Sequence, residues 1–132
     1  MLFRSVLTSR SGVTTLDKAG DWVGQRISHY LRNREDLTFR MVALDATSAE
    51  GLKNLLGELE YPVGGCLLLA ALLNDRTFAS QTKESFESTF APKIQGFQVL
   101  EQTLDLGALD FVVAFSSISG MFGSPGQTNY AA

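Results

Sequence analysis

The sequence has one cysteine and one histidine among its 132 residues. Cys66 therefore cannot form an internal disulfide, and because it lies in an apolar run we interpret it as a buried, unreactive thiol. With His29 as the only histidine, a histidine-based catalytic triad or metal site within this chain is not expected. The scarcity of cysteine favours a reducing compartment, and the cytoplasm is the expected location.

Long apolar spans and blocks of like charge are also lacking. No apolar run reaches the roughly 18 residues of a transmembrane helix, and the N-terminus lacks the basic-then-apolar layout of a signal peptide. The 11 Lys and Arg against 14 Asp and Glu give a net charge of −3, which argues against a nucleic-acid surface. The basic residues Arg26, Arg32 and Arg34 are followed by Glu35 and Asp36, as is typical of a solvated helix face.

What is present is an ordinary globular composition, 45% hydrophobic and 19% charged, which predicts one small domain over residues 1–132. Strands are predicted over 1–9, 37–45, 66–73 and 111–115, and helices over 21–33, 48–59 and 83–104. The run 66–73 is continuously apolar, as in a parallel strand covered on both faces. Pro92 should kink or restart the last helix. The alternation predicts an α/β fold with a doubly wound parallel sheet.

The most informative stretch is 108–132, ALDFVVAFSSISGMFGSPGQTNYAA. An apolar strand ends at Ser116 and Ser117, and a glycine-rich and proline-containing loop then leads to Tyr130 at the start of a helix. In open α/β sheets, ligands bind outside the carboxyl ends of the strands. A hydroxyl at such an end, and a phenol delivered by the following loop, together predict a functional site.

This stretch resembles the active-site segment of short-chain dehydrogenase/reductases. More narrowly, it is similar to the ketoreductase domains of polyketide and fatty-acid synthases, which read SS-x-(A/S)-G-x-x-G-x-x-G-Q-x-x-Y-A-A. The resemblance implies a partial Rossmann-like doubly wound parallel sheet that lacks the first βα unit and the C-terminal strands. The segment 1–9 corresponds to the family's second strand, and the family's glycine-rich dinucleotide turn has no counterpart. Because the missing strand is central in the order 3-2-1-4-5-6, two strand edges are expected to face an open slot.

The resemblance also implies three catalytic residues. Tyr130 is the expected proton donor, and Ser117 the hydroxyl that holds the substrate carbonyl. Lys93 lies in APKIQG, which matches the APK-x-x-G motif from which the synthase ketoreductases draw their lysine; an ammonium near a tyrosine favours the phenolate. A lone helical lysine would be interpreted as solvated, but within this motif we favour catalysis. The family's asparagine four residues after the tyrosine would lie just beyond Ala132.

Five further residues are implied as cofactor contacts. Arg10, in TSRSG after the first strand, stands where the family binds the 2′-phosphate of NADPH, and an arginine fork suits a phosphate; an exposed turn arginine is the alternative. Ser11 lies beside it. Asp45, in LDATS, resembles the family's adenine-contacting aspartate, although a helix-capping role competes. Ala70 and Ala71 align with the family stretch HAAGVLDD, and Ala71 replaces the usual glycine where the backbone comes close to the cofactor.

The function implied is that of a segment of an NADPH-dependent β-ketoacyl reductase domain. Its partners would be a β-ketoacyl thioester on an acyl carrier domain and other synthase domains, with no nucleic acid and no membrane. Asn74 and Asp75 stand where one stereochemical class carries two aspartates, which leaves the product stereochemistry open. Two alternatives remain: a truncated, inactive remnant, and a non-catalytic nucleotide-binding or interaction module. The parent domain is the expected enzyme, and the 132 residues alone are expected to be inactive.

Overall fold

The computed structural model describes residues 3–12, 22–33 and 37–132. Outside these ranges lie Met1 and Leu2 of the first predicted strand, Asp21 of the first predicted helix, and the charged residues 34–36. The chain forms two compact units, Met1–Asp45 and Ala46–Ala132. Each unit contains one pair of parallel strands.

Strands and helices alternate along the chain as the apolar patterns predict. In chain order they are β1 (Phe3–Ser9), α1 (Trp22–Arg32), β2 (Leu37–Ala43), α2 (Ala49–Gly57), β3 (Gly65–Leu68), α3 (Lys83–Phe90), α4 (Ile94–Thr103), β4 (Phe111–Ala114), α5 (Ser119–Phe122) and α6 (Thr128–Ala131). Two 3₁₀ turns, Phe78–Ser80 and Leu106–Ala108, precede α3 and β4. The predicted α/β class is confirmed. Over the described ranges, no helix combines the length and apolar character needed to cross a bilayer.

The first unit pairs β1 with β2 in parallel, so that Ser9 lies opposite Ala43 at the carboxyl ends of the two strands. The backbone N–H of Leu44 extends this ladder by donating to the Ser9 carbonyl at 2.9 Å. The aromatic side chains Trp22 and Tyr30 of α1 are largely exposed, at 67% and 54%. Two strands offer too little apolar surface to cover an amphipathic helix.

The second unit pairs β3 with β4 in parallel and carries a small core. The four side chains of that core, each less than 10% exposed, come from α2, β3 and α4: Leu55, Leu68, Val99 and Leu100. Ser48 caps the N-terminus of α2, because its hydroxyl accepts from the Gly51 N–H at 3.0 Å. Burying one such leucine stabilises a fold by about 1.5–3 kcal/mol. This core therefore holds α2 and α4 against β3.

The predicted strand over 66–73 is wrong in length and in coverage. The strand β3 ends at Leu68, and Leu67, Leu69 and Leu73 are 54%, 59% and 56% exposed. Its partner β4 is four residues long, so residues beyond Leu68 have no strand to continue the ladder. A continuous apolar run is compatible with a strand that is buried on both faces. How much of the strand is buried depends on the number of elements that pack around it.

The sheet pairing confirms a partial doubly wound fold. Within the described ranges the strands form two separate two-stranded sheets, β1–β2 and β3–β4. Taking the central first strand out of the order 3-2-1-4-5-6 leaves the parallel pairs 3-2 and 4-5. Those are the two pairs that this chain forms.

Cys66 carries a first testable prediction. Burial raises the pKa of its half-buried thiol, because desolvation disfavours the thiolate. Alkylation by iodoacetamide near pH 8 is therefore expected to be roughly fivefold or more slower in the native protein than in urea. The same shift makes the free energy of unfolding fall as the pH rises through the alkaline range, because the folded state holds the proton more tightly. Equal native and denatured rates, followed by mass spectrometry, would contradict this burial.

Candidate active site

One cavity of about 180 Å³ in the second unit brings together the three residues predicted to be catalytic. Lys93, Ser117 and Tyr130 all line it, although they are spread over separate segments of the sequence. The wall also includes Thr89 and Asn129, which the sequence patterns did not single out. The predicted constellation is therefore a spatial cluster.

Ser117 lies just beyond the carboxyl end of β4 and is half-buried. Its Oγ accepts from the backbone N–H of Ser119 at 3.2 Å, and its carbonyl accepts from the N–H of Gly120 at 3.1 Å. These two bonds attach Ser117 to the first turn of α5. Because its oxygen accepts from Ser119, its hydroxyl proton is available to donate to a ligand in the cavity.

Lys93 lies in the break that Pro92 makes between α3 and α4. Proline has no N–H to continue the helical ladder, so the chain restarts at Ile94 as the sequence predicted. The Lys93 ammonium donates to the carbonyl of Phe115 at 2.5 Å, two residues before Ser117. The helix break thus places a positive charge beside the strand end that carries Ser117.

Tyr130 lies on the short helix α6, as predicted for the loop that follows β4. Gly123 and Gly126 have φ of 72° and 76°, a left-handed conformation that glycine adopts without steric cost. The Gly126 carbonyl accepts from the Arg76 N–H at 2.8 Å, which fixes the loop to the segment after β3. The Tyr130 N–H donates to the Gln127 carbonyl at 3.0 Å. Tyr130 itself is half-buried in the cavity wall.

Gln127, to which the sequence analysis assigned no role, joins this loop to two neighbours. Its Nε2 donates to an Asp75 carboxylate oxygen at 3.0 Å, and its Oε1 accepts from the Ser119 hydroxyl at 3.2 Å. Asp75 was predicted as half of a stereochemical signature; the structure shows it holding the loop that leads to Tyr130. The Gly-Gln pair within the motif was the available signal for Gln127.

The residues predicted to bind the cofactor fall in both units. In the first unit, Arg10 and Ser11 are exposed in the turn after β1, and Asp45 is exposed two residues after β2. The β1–β2 register brings these two segments to the same carboxyl edge. Gly12 closes the turn with φ of 56°, and a Cβ there would lie 3.0 Å from the Ala43 nitrogen. Arg10 is thus an exposed arginine just after a strand end, and a guanidinium there could bind a phosphate group.

Ala70 and Ala71 follow β3 in the second unit, at the carboxyl end of that strand. Ala70 is half-buried and Ala71 exposed, and neither lines the cavity that holds Tyr130. Ala70 and Ala71 therefore lie outside the lining that Lys93, Ser117 and Tyr130 share. Among the described residues, no group of three or more His, Cys, Asp or Glu side chains could hold a metal ion.

Similarity to known proteins covers nearly the whole chain. Residues 4–132 match the family model of the KR domain. The chain is 38% identical over 126 residues to the highly reducing polyketide synthase stpks1 of Strobilurus tenacellus, covering 96% of this chain and 4% of that protein. It is 34% identical over 134 aligned residues to a 6-methylsalicylic acid synthase of Arthrobotrys oligospora, covering 97% of this chain and 8% of that protein. The chain thus spans a small part of these relatives.

Solved ketoreductase structures are also similar to nearly the whole chain. A ketoreductase from the first module of phoslactomycin biosynthesis in Streptomyces has a TM-score of 0.79 at 30% identity, over 97% of this chain and 29% of that chain. The first ketoreductase of the tylosin polyketide synthase has a TM-score of 0.76 at 32% identity, over 97% and 26%. The backbone similarity therefore extends over both units of the chain.

Proposed function

The chain belongs to the ketoreductase (KR) domain family, and from this premise we propose that residues 1–132 are part of an NADPH-dependent β-ketoacyl reductase domain. The substrate would be a β-ketoacyl thioester, and the product the β-hydroxyacyl thioester. The observation that carries this proposal is the cavity that Lys93, Ser117 and Tyr130 share. A non-catalytic module has no need of an acid, a hydroxyl donor and a cation in one cavity.

The reaction adds hydride to the carbonyl carbon and a proton to the carbonyl oxygen. A reduced nicotinamide, when bound, would supply the hydride. Tyr130 donates its phenolic proton to the oxygen as negative charge develops there, and solvent then reprotonates the phenolate. The Ser117 hydroxyl donates a hydrogen bond to the same oxygen and so stabilises that charge. These proposed roles are supported by the position of Ser117 and Tyr130 in the lining of one cavity.

Lys93 stabilises the negative charge that this proton transfer leaves on Tyr130. Its ammonium is held at the end of β4 by the Phe115 carbonyl, and it lines the same cavity as Tyr130. A cation in the same cavity would stabilise the negative charge that develops during the transfer. Lys93 therefore assists Tyr130 without itself donating to the substrate.

NADPH is the cofactor that the first unit favours. The exposed Arg10 guanidinium would hold the 2′-phosphate, with Ser11 beside it. Asp45, at the same edge, would contact the adenine, and Ala70 and Ala71 would approach the cofactor through their backbone. An acidic residue in place of Arg10 would instead favour NADH.

The partners proposed are an acyl carrier domain, which delivers the thioester, and other domains of a synthase. Polyketide synthases appear among the relatives, and the chain covers 4% to 8% of those named above. A substrate delivered on a carrier need not be bound tightly by itself. We therefore expect carrier-bound substrates to have a lower KM than free thioester analogues.

The test is reduction of a β-ketoacyl N-acetylcysteamine thioester by the purified full-length protein, which here means the complete parent reductase that contains residues 1–132. Loss of NADPH absorbance at 340 nm, with the β-hydroxy product identified by mass spectrometry, would support the proposal. A folded protein that binds NADPH but yields no hydroxy product would overturn it.

Arg10→Gln is expected to raise the KM for NADPH about 10- to 100-fold and to leave the KM for NADH almost unchanged. The expected size is that of one charge-assisted bond to a phosphate. Arg26→Gln, on the exposed surface of α1, is the matched control and should change neither value. An equal rise in both KM values would contradict a role at the 2′-phosphate.

A further inference from the structure

Asn129, the residue before Tyr130, is completely buried, and its amide joins α6 to two other segments. Its Nδ2 donates to Thr89 Oγ1 at 2.9 Å and to the Ser85 carbonyl at 3.2 Å, both in α3. The Asn74 carbonyl, in the segment after β3, also lies within hydrogen-bond distance of Nδ2 at 3.0 Å, so the two N–H groups are shared among three acceptors. Because two of the acceptors are backbone carbonyls, the nitrogen of the amide must face them.

The acceptors in α3 are themselves fixed. Ser85 and Thr89 are 2% and 3% exposed, and the Thr89 hydroxyl donates to the Ser85 carbonyl at 2.8 Å. By contrast, α6 has four residues, too few to be stable by itself. The position of α6, and with it that of Tyr130, therefore depends on contacts such as those of Asn129.

The Asn129–Thr89 bond also connects Tyr130 to Lys93. Thr89 lies in the last turn of α3, four residues before Lys93. Thr89, Asn129, Lys93 and Tyr130 all line the same cavity. The bond thus joins α6, which carries Tyr130, to the C-terminal end of α3, which Lys93 follows.

Asn129 is unfavourable as a purely structural choice. Its Oδ1 is buried and has no hydrogen-bond partner among the described residues. An unsatisfied buried acceptor costs stability. A local cost of this kind beside a catalytic cluster indicates a functional role.

We propose that Asn129 is a positioning residue that sets the placement of Tyr130 relative to Lys93. This inference rests on the proposed reductase function. Asn129 acts through Tyr130 and does not touch the reacting atoms. Its loss should therefore slow the chemical step without weakening cofactor binding.

The test compares Asn129→Ala and Thr89→Val with matched controls in the full-length protein. Asn54→Ala repeats the asparagine change at an exposed position of α2. Thr103→Val repeats the threonine change in α4, where the hydroxyl donates to the Val99 carbonyl at 2.6 Å within its own helix. The readouts are kcat, the Kd for NADPH, and hydrogen exchange of residues 124–132 by mass spectrometry.

Asn129→Ala is expected to lower kcat about 10- to 100-fold, since a misplacement of about 1 Å costs up to ~100-fold. Thr89→Val removes one bond and should lower kcat roughly threefold to tenfold. The Kd for NADPH should stay within about twofold, because no cofactor contact is lost. In Asn129→Ala, exchange should rise in 124–132 and not in the peptides of α2 and α4. Both controls should match the wild type.

An unchanged kcat in Asn129→Ala would overturn the inference, as would faster exchange throughout 46–132 with activity proportional to the folded fraction. A wild-type protein without reductase activity would refute the proposed function instead. Hydrogen exchange would still decide the role of Asn129 in that case. Faster exchange confined to 124–132 would support positioning, and unchanged exchange there would exclude it.

Discussion

Replacing Tyr130 with Phe is expected to lower kcat for β-ketoacyl thioester reduction about 10²- to 10⁴-fold, the range that a positioned general acid contributes. The change removes one hydroxyl and keeps the ring, so the half-buried side chain still packs in α6. The Kd for NADPH should therefore remain within about twofold. Stopped-flow loss of NADPH absorbance under single-turnover conditions measures the chemical step directly.

Tyr30→Phe is the matched control for this variant. Tyr30 lies in α1 and is 54% exposed, outside the catalytic cavity. The Tyr30→Phe variant should reduce the thioester at the wild-type rate. If Tyr130→Phe kept more than about a tenth of the wild-type rate, another group would have to supply the proton.

Replacing Lys93 with Met is expected to lower kcat about 10²- to 10³-fold, the usual loss when one group that stabilises transition-state charge is removed. Methionine keeps an unbranched chain but has no charge and no N–H. The Phe115 carbonyl loses its ammonium donor, so the end of β4 near Ser117 is also less well fixed. We therefore expect kcat to fall more than the affinity for NADPH.

Lys83→Met provides the control for Lys93. Lys83 is in α3, and its exposed ammonium lies 3.5 Å from a carboxylate oxygen of Glu87. An exposed pair of this kind contributes about 1 kcal/mol or less, so its loss should change neither folding nor kcat measurably. Equal losses in the two variants would show that Lys93 acts only as a surface charge.

Much of the architecture could be predicted from apolar periodicity and from proline. Pro92 split one predicted helix into α3 and α4, and Ser48 capped α2, because these effects depend on local backbone chemistry. Burial could not be predicted in the same way. Phe111 and Val113 lie in an apolar strand but are 50% and 41% exposed, since burial depends on how many elements pack around a strand.

The candidate site could likewise be predicted only in part. Ser117, Tyr130 and Lys93 could be found because each lies in a recognisable motif, and the structure places all three in one cavity. Asn129 and Gln127 were not assigned roles, although both lie within the same motif. Their importance comes from partners 40 and 52 residues away in the sequence, Thr89 and Asp75. A single sequence carries no signal of such long-range bonds.

The most direct test of the central claim is a double-mutant cycle on Ser117→Ala and Tyr130→Phe, measured as the single-turnover rate of NADPH-dependent thioester reduction. Both hydroxyls are proposed to act on one carbonyl oxygen in one cavity. Groups that act as a unit are strongly non-additive, so the double variant should react within about threefold of the slower single variant. A double variant slowed by the full product of the two single losses would contradict a shared site.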